Sequence, residues 1–347
     1  MEGFTVPGET LSHHGTHPLC QCPFTQMSQS FLPINAQHVR QQFDRRAPLD
    51  DAQFLYGEIA KRMLHRLGYI RVSPGRLLDA GCGAGHAVEP LRVQYPDMEY
   101  TGVDCSPALL AVARKRFQAR PGLWQRLRNK PMLPVEFMEG DLAALPLPPE
   151  SQDLLWSNMS LHWHPAPHDV LAEWRRVLKP GALVMFSSLG PGTFAELRKA
   201  LQDAGLQTAT PPYVDMHDYG DMLVQLGFSD PVMDQEIITL TYRSPEKLLA
   251  DIRLLGGNPN PERRAGLSGR AWHQRLLNAL EAQRGMDGTI HLSLEVAYGH
   301  AWRGLSSKGP RGEARIPISA IGRAPGSKGP TVRPRKEGDP EPGEGTA

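Results

Sequence analysis

The chain has no long apolar run, no surplus of one charge and few cysteines, and each lack removes a class of function. No segment approaches the roughly 18 to 20 apolar residues of a membrane span, and no basic region precedes an apolar core at the N-terminus, so neither anchoring nor secretion is expected. Lysine and arginine number 38 against 37 aspartates and glutamates, a formal net charge of +1, which gives no bulk electrostatic case for nucleic acid. The four cysteines are Cys20, Cys22, Cys82 and Cys105. The last two fall in or beside strand-like runs, which is no disulfide framework, and a reducing cytoplasm is the compartment expected. His13, His14, His17, Cys20 and Cys22 are zinc-type donors, but no second ligand pair follows at a finger-like spacing, so no metal is expected. There is no internal repeat.

What is present is a chain of 347 residues with 40% hydrophobic content, enough to bury one large core or two modest ones. It is organised around Leu77-Leu78-Asp79-Ala80-Gly81-Cys82-Gly83-Ala84-Gly85, an apolar run that ends in an acid and then in alternating glycines. This predicts a strand entering a turn that passes close to a ligand, with a helix from His86 aiming its first amides at the same space. The spacing is not the dinucleotide fingerprint. A second apolar run, Tyr100-Thr101-Gly102-Val103, closes on Asp104, and a third, Val135-Glu136-Phe137-Met138, ends in Gly140-Asp141. Strands that each end in an acid at one sheet edge suit a ligand with an amine, a ribose diol and an adenine; Asp104 stands where a ribose-binding acid is expected.

Taken in order, residues 1–29 are polar and aperiodic and read as a disordered leader. Apolar residues at three- and four-residue steps from Val39 to Leu67 predict an N-terminal helical cap over 35–70, and Pro74-Gly75 marks its end. A helix opens at Pro107 with Ser106 as N-cap. Residues 121–134 form a basic insertion, read as a surface loop. A fourth strand over 153–158, a helix over 170–178 and a fifth strand over 182–188 complete a strand-helix alternation that implies a parallel sheet covered on both faces. Strand-like runs at 237–242 and 292–301 bracket a helical stretch taken as a lid over 244–285. Residues 304–347 are rich in glycine, proline and charge and read as a disordered tail. The folded part is thus expected to occupy 30–303.

These residues resemble the S-adenosylmethionine-dependent methyltransferases of Rossmann-like, class I fold. From about Asn35 to Arg303 the chain is more narrowly similar to the malonyl-acyl-carrier-protein O-methyltransferases of biotin synthesis. The similarity runs through Leu78-Asp79-Ala80-Gly81-Cys82-Gly83, Trp156-Ser157-Asn158, the segment from Glu173 to Gly181, and above all Phe186-Ser187-Ser188-Leu189-Gly190-Pro191-Gly192-Thr193. It implies a mostly parallel seven-stranded sheet with helices on both faces, a helical cap, and a helical lid inserted before the last strand. It also implies S-adenosylmethionine as co-substrate, held by Asp79, Gly81, Gly83, Gly85, Asp104, Cys105, Asp141, Leu142 and Asn158, and a malonyl thioester of acyl carrier protein as acceptor and partner. A monomer is expected. One departure is that family members carry an aromatic residue shortly after the Phe43-Asp44-Arg45-Arg46-Ala47 segment, where this chain has Leu49 and Asp50.

Methyl transfer to a carboxylate needs alignment and exclusion of water, and no general base, because the acid is already ionised at neutral pH. A cation should orient it. Arg253, on the expected lid, is the first candidate, with a solvated helical face as its alternative; His162, directly after the fourth strand, is the second, with a loop-stabilising hydrogen bond as its alternative. A ring hydroxyl or carbon acceptor would instead make His162 indispensable as a base. A protein that keeps the cofactor fold without catalysis is the other rival reading. Arg263, Arg264, Arg270 and Arg275 on the lid would suit the acidic face of a carrier protein.

Overall fold

Runs such as Leu154-Leu155-Trp156 and Leu183-Val184-Met185-Phe186 are apolar on both faces, which only a strand covered by helices on each side can bury. In the computed structural model, which describes residues 31–117, 134–264 and 269–305, they occupy the middle of a seven-stranded sheet. The strands are β1 (Arg76–Ala80), β2 (Glu99–Asp104), β3 (Val135–Glu139), β4 (Gln152–Ser157), β5 (Leu178–Leu189), β6 (Phe228–Tyr242) and β7 (Ile290–Arg303). Their order is β3-β2-β1-β4-β5-β7-β6. The first five run parallel, and β7 is antiparallel to both β5 and β6. The expected leader, nearly all of the expected tail, the histidine and cysteine cluster, and the basic insertion apart from Pro134 lie outside the described residues.

The helices are α1 (Ala36–Asp44), α2 (Gln53–Leu67), α3 (Val88–Gln94), α4 (Pro107–Phe117), α5 (Pro167–Val177), α6 (Ala195–Asp203), α7 (Met216–Gln225), α8 (Pro245–Leu254) and α9 (Arg270–Glu281). None of the described helices is long and apolar enough to cross a membrane. Helix α1 starts at Asn35, whose side chain accepts from the His38 amide at 2.8 Å, and α4 starts at Ser106, whose hydroxyl accepts from the Leu109 amide at 3.2 Å. Helix α2 packs Ile59, Met63 and Leu67, four residues apart and fully buried, on the sheet face that carries Leu77, Tyr100 and Trp156. Each such side chain contributes about 1.5 to 3 kcal/mol. The opposite face, with Leu78, Val103, Leu155 and Val184, is covered by Val170, Leu171 and Trp174 of α5 and Leu223 of α7.

Several boundaries differ from the expected ones, three of them for a visible reason. Helix α3 begins at Val88, not His86, and is a short element of seven residues, because the glycine turn continues to Ala87. Strand β5 begins four residues early, at Leu178, and runs through Lys179-Pro180-Gly181 with Gly181 at φ +78°. Strand β6 begins at Phe228: its first half alternates polar and half-exposed residues, as an edge strand does, and Pro231 sits in the register shift between Ser229 and Val232. The strand order reverses between β1 and β4, which opens a crevice at their carboxyl ends.

Candidate functional site

The turn after β1 is shaped by close approach. Gly81 has φ +84°, and a Cβ there would lie 2.3 Å from the Ser160 Cβ, so the turn runs directly beneath the loop that follows β4. Gly83 has φ +53°, and its Cβ direction is clear to 3.7 Å, where it meets Leu49. Gly85, expected among the ligand-facing glycines, is instead a packing glycine. A Cβ on it would meet Phe117 at 3.0 Å and Phe137 at 3.1 Å, because the turn has by then swung toward α4.

The three acids stand at the ends of β1, β2 and just beyond β3. Asp104 accepts the Gly83 amide on Oδ2 and the Ser106 amide on Oδ1, both at 2.8 Å. Burial raises its pKa while those two amides pull it down. Asp79 is almost fully buried and accepts the Tyr100 hydroxyl at 2.5 Å; burial pushes its carboxyl up to about 7, with the tyrosine pulling the other way. Asp141 accepts from the Ala143 amide at 2.8 Å and faces the His164 Nε2 at 3.1 Å, which holds its pKa below the usual value. Burial raises the pKa of both cysteines of the site, Cys105 up to about 12 and Cys82 well above its ordinary value, which favours the protonated thiols.

Asp79, Gly81, Gly83, Asp104, Cys105, Asp141, Leu142 and Asn158 all line one cavity of about 700 Å³. Its other walls come from α1 and α2, through Phe43, Tyr56, Gly57 and Ala60, and from Trp163 and His164. The Trp156 indole N–H at its floor is buried and has no hydrogen-bond partner among the described residues. The set suits S-adenosylmethionine: buried acids for an amine and a diol, a glycine cradle in which Gly83 leaves room for a ligand, and an apolar wall. Asn158 also fastens the site. Its amide nitrogen donates to the Tyr56 carbonyl at 3.0 Å and its oxygen accepts from Ser187 at 2.9 Å.

A second, narrow cavity of about 10 Å³ shares Tyr56, Met159 and Trp163 with the first and is closed by Leu189, Phe194, Tyr213, Ile252, Leu255 and Gly257. The two candidates for acceptor chemistry lie elsewhere. His162 lines neither cavity. It is buried behind Trp163, with ring centroids 5.0 Å apart, its Nδ1 accepts weakly from the Leu189 amide at 3.4 Å, and its Nε2 has no partner among the described residues. Burial pushes its pKa down to about 3, which favours the neutral imidazole. Arg253 is exposed on α8 and lines neither cavity, because the buried stripe of that helix runs through Leu248, Asp251 and Leu255.

Sheet order, glycine turn and acid-terminated strands together define an S-adenosylmethionine-dependent methyltransferase. A family model described as a methyltransferase domain matches residues 78–186. The chain is 39% identical over 276 residues to the malonyl-[acyl-carrier protein] O-methyltransferase of Nitrosospira multiformis, covering 78% of this chain and 90% of that one. It is 40% identical over 273 residues to the protein of the same name in Gallionella capsiferriformans, covering 78% and 91%. Among solved structures, the [4+2]-cyclase SpnF aligns over 80% of this chain and all of that one with a TM-score of 0.50 and 19% identity, a likeness of fold alone. The chain belongs to the malonyl-[acyl-carrier protein] O-methyltransferase family.

Several contacts of the site, as distinct from the residues that make them, carried no signal in the sequence. The Asp44 side chain, at the end of α1, accepts from the Ser106 hydroxyl at 2.6 Å and so ties the cap to the loop that holds Asp104. The Tyr56 hydroxyl donates to the Leu255 carbonyl at 2.7 Å, and the Trp163 ring fills the space that a Cβ on Gly256 would need, at 2.1 Å. His86 faces Asp50 at 2.9 Å at the mouth of the large cavity.

Proposed function

We propose that the protein transfers the methyl group of S-adenosylmethionine to the free carboxylate of a malonyl thioester carried by an acyl carrier protein. The observation that carries this reading is the absence, among the described residues, of a base on the acceptor side. The titratable groups that line the narrow cavity are the Tyr56 and Tyr213 phenols, both raised by burial, and His162 is turned away. An ionised carboxylate needs no base; a ring hydroxyl does. The bound co-substrate supplies a methyl activated by its sulfonium. The protein's share is to hold Asp79, Asp104 and Asp141 around it, to wall off water with Tyr56, Met159 and Trp163, and to close α8 and α9 over the acceptor as a lid. Incubation with S-adenosylmethionine and a panel of acyl carrier protein thioesters tests this by intact mass. Malonyl carrier alone should gain one methylene mass, and an unmodified malonyl carrier would overturn the reading.

The lid arginines support a carrier protein as the vehicle. Arg264, Arg270 and Arg275 are exposed, Arg264 lies 5.9 Å over the Trp272 ring, and Arg263 bonds the Asn260 carbonyl at 3.1 Å. Exposed charges act over a screening length of about 8 to 10 Å, so reversing Arg263 and Arg264 to glutamate should raise KM for the carrier-bound substrate, more so at low salt. A carrier-free malonyl thioester should be unaffected. Equal loss on both would remove the docking role.

The buried Asp79 gives a pH dependence. Its folded pKa of about 7 lies above the ordinary 3.8, so the stability its protonated form contributes is complete below about pH 4 and is lost as pH rises through 7. The co-substrate's ammonium group favours the opposite, ionised form. Affinity for S-adenosylmethionine should therefore rise between pH 6 and 8, by at most about tenfold per unit, with proton release on binding below pH 7. Asp79→Asn should flatten that profile; an unchanged slope by calorimetry would remove Asp79 from the amine site.

A further inference from the structure

We infer that Arg46 receives the acceptor carboxylate, an assignment that rests on the malonyl reading above. One guanidinium nitrogen, Nη2, donates to Gln42 Oε1 at 2.8 Å and to the Gly256 carbonyl at 2.9 Å. The other, Nη1, is buried without a hydrogen-bond partner among the described residues. Both acceptors are neutral, and no carboxylate among the described residues pairs with this arginine. A half-buried cation with a buried, unused donor suits a place where an anion arrives.

Its position is that of the missing orienting group. The guanidinium carbon lies 5.9 Å from the centre of the Phe43 ring, which lines the cofactor cavity. A Cβ on Gly257, which lines the narrow cavity, would sit 3.5 Å from Nη2. Arg46 is itself among the lining residues of neither cavity; it lies behind Phe43 of the one and Gly257 of the other, one side-chain movement from both, and the narrow cavity has no charged side chain among the described residues of its own wall. One N–H directed at one carboxylate oxygen leaves the second oxygen free to attack. Arg253, exposed on the outer face of α8, cannot do this.

The bond to Gly256 gives Arg46 a second, purely mechanical role, and the test has to separate the two. Malonyl- and acetyl-acyl carrier protein are titrated by calorimetry into protein loaded with S-adenosylhomocysteine; the acetyl form has the same thioester arm and no carboxylate. Arg46→Gln removes the charge and leaves a shorter, neutral amide donor on the same side of Gly256. It should lower malonyl affinity by at least about tenfold, the loss of one charge-assisted hydrogen bond, leave acetyl affinity unchanged, and so erase the preference for malonyl. Arg46→Lys should restore part of it. Equal losses on both thioesters, or a malonyl preference that survives in Arg46→Gln, would overturn the assignment while leaving the malonyl reading in place. A wild-type protein with no preference for malonyl over acetyl would overturn both.

Discussion

Asp104→Ala is expected to abolish measurable binding of S-adenosylmethionine by calorimetry, a loss of at least about a hundredfold, and to lower the melting temperature of the free protein. The two effects have one cause. Asp104 accepts the Gly83 and Ser106 amides at once, so its removal leaves the buried Ser106 N–H without a partner, at about 1 to 3 kcal/mol, and releases the half-buried Gly83 amide. It also frees the glycine turn from the end of β2. Asp104→Asn should be nearly as damaging, because the amide nitrogen it introduces would face one of those donors. Binding within a few-fold of wild type in the alanine variant would mean that neither the turn nor the ribose site depends on this acid.

Gly256→Val should instead leave S-adenosylmethionine binding nearly unchanged and reduce methyl transfer by about a hundredfold, the scale of a misplacement near 1 Å. Gly256 has φ +129°, and the Trp163 ring occupies its Cβ direction at 2.1 to 2.2 Å. A branched residue there is strained in its backbone and collides with an aromatic wall. The chain from Leu255 to Gly257 must lift, which breaks the bonds from Tyr56 and Arg46 to the Leu255 and Gly256 carbonyls. Trp163→Ala in the same background removes the obstacle and should recover part of the rate. Full activity in Gly256→Val would mean that this contact has no part in closure.

The cofactor half of the site was legible in the sequence and the acceptor half was not, for a physical reason. Asp79, Gly81, Gly83, Asp104 and Asp141 each follow an apolar run directly, so local pattern and the rule that parallel strands present their carboxyl ends together were enough to assemble them. The partners that complete the site are remote: Tyr100 reaches Asp79 from 21 residues away, Asp44 reaches Ser106 from 62, and Arg46 reaches Gly256 from 210. No periodicity encodes such pairs. Position after a strand also misled for His162, because the short turn Leu161–Trp163 aims Trp163 into the cavity and His162 behind it. For Arg253 the needed information was local, since Leu248, Asp251 and Leu255 already define the inner stripe of α8 and an arginine between them belongs to the outer face.

The wall shared by the two cavities bears on the order of events in a catalytic cycle. Arg40 and Lys61, both exposed, stand among the large cavity's lining residues, so S-adenosylmethionine can come and go with the carbonyls of Leu255 and Gly256 still tied to Tyr56 and Arg46. On the reading proposed above, an acceptor seated in the narrow cavity has no such freedom: about 10 Å³ holds no malonyl group, and room for one there requires those ties to part. Cofactor exchange is then paced by diffusion into an open crevice, and acceptor capture by the frequency of unlatching, a gate of the kind that operates in microseconds to milliseconds. On that reading the methyl donor binds before the acceptor, and the latch over the narrow cavity separates the two events.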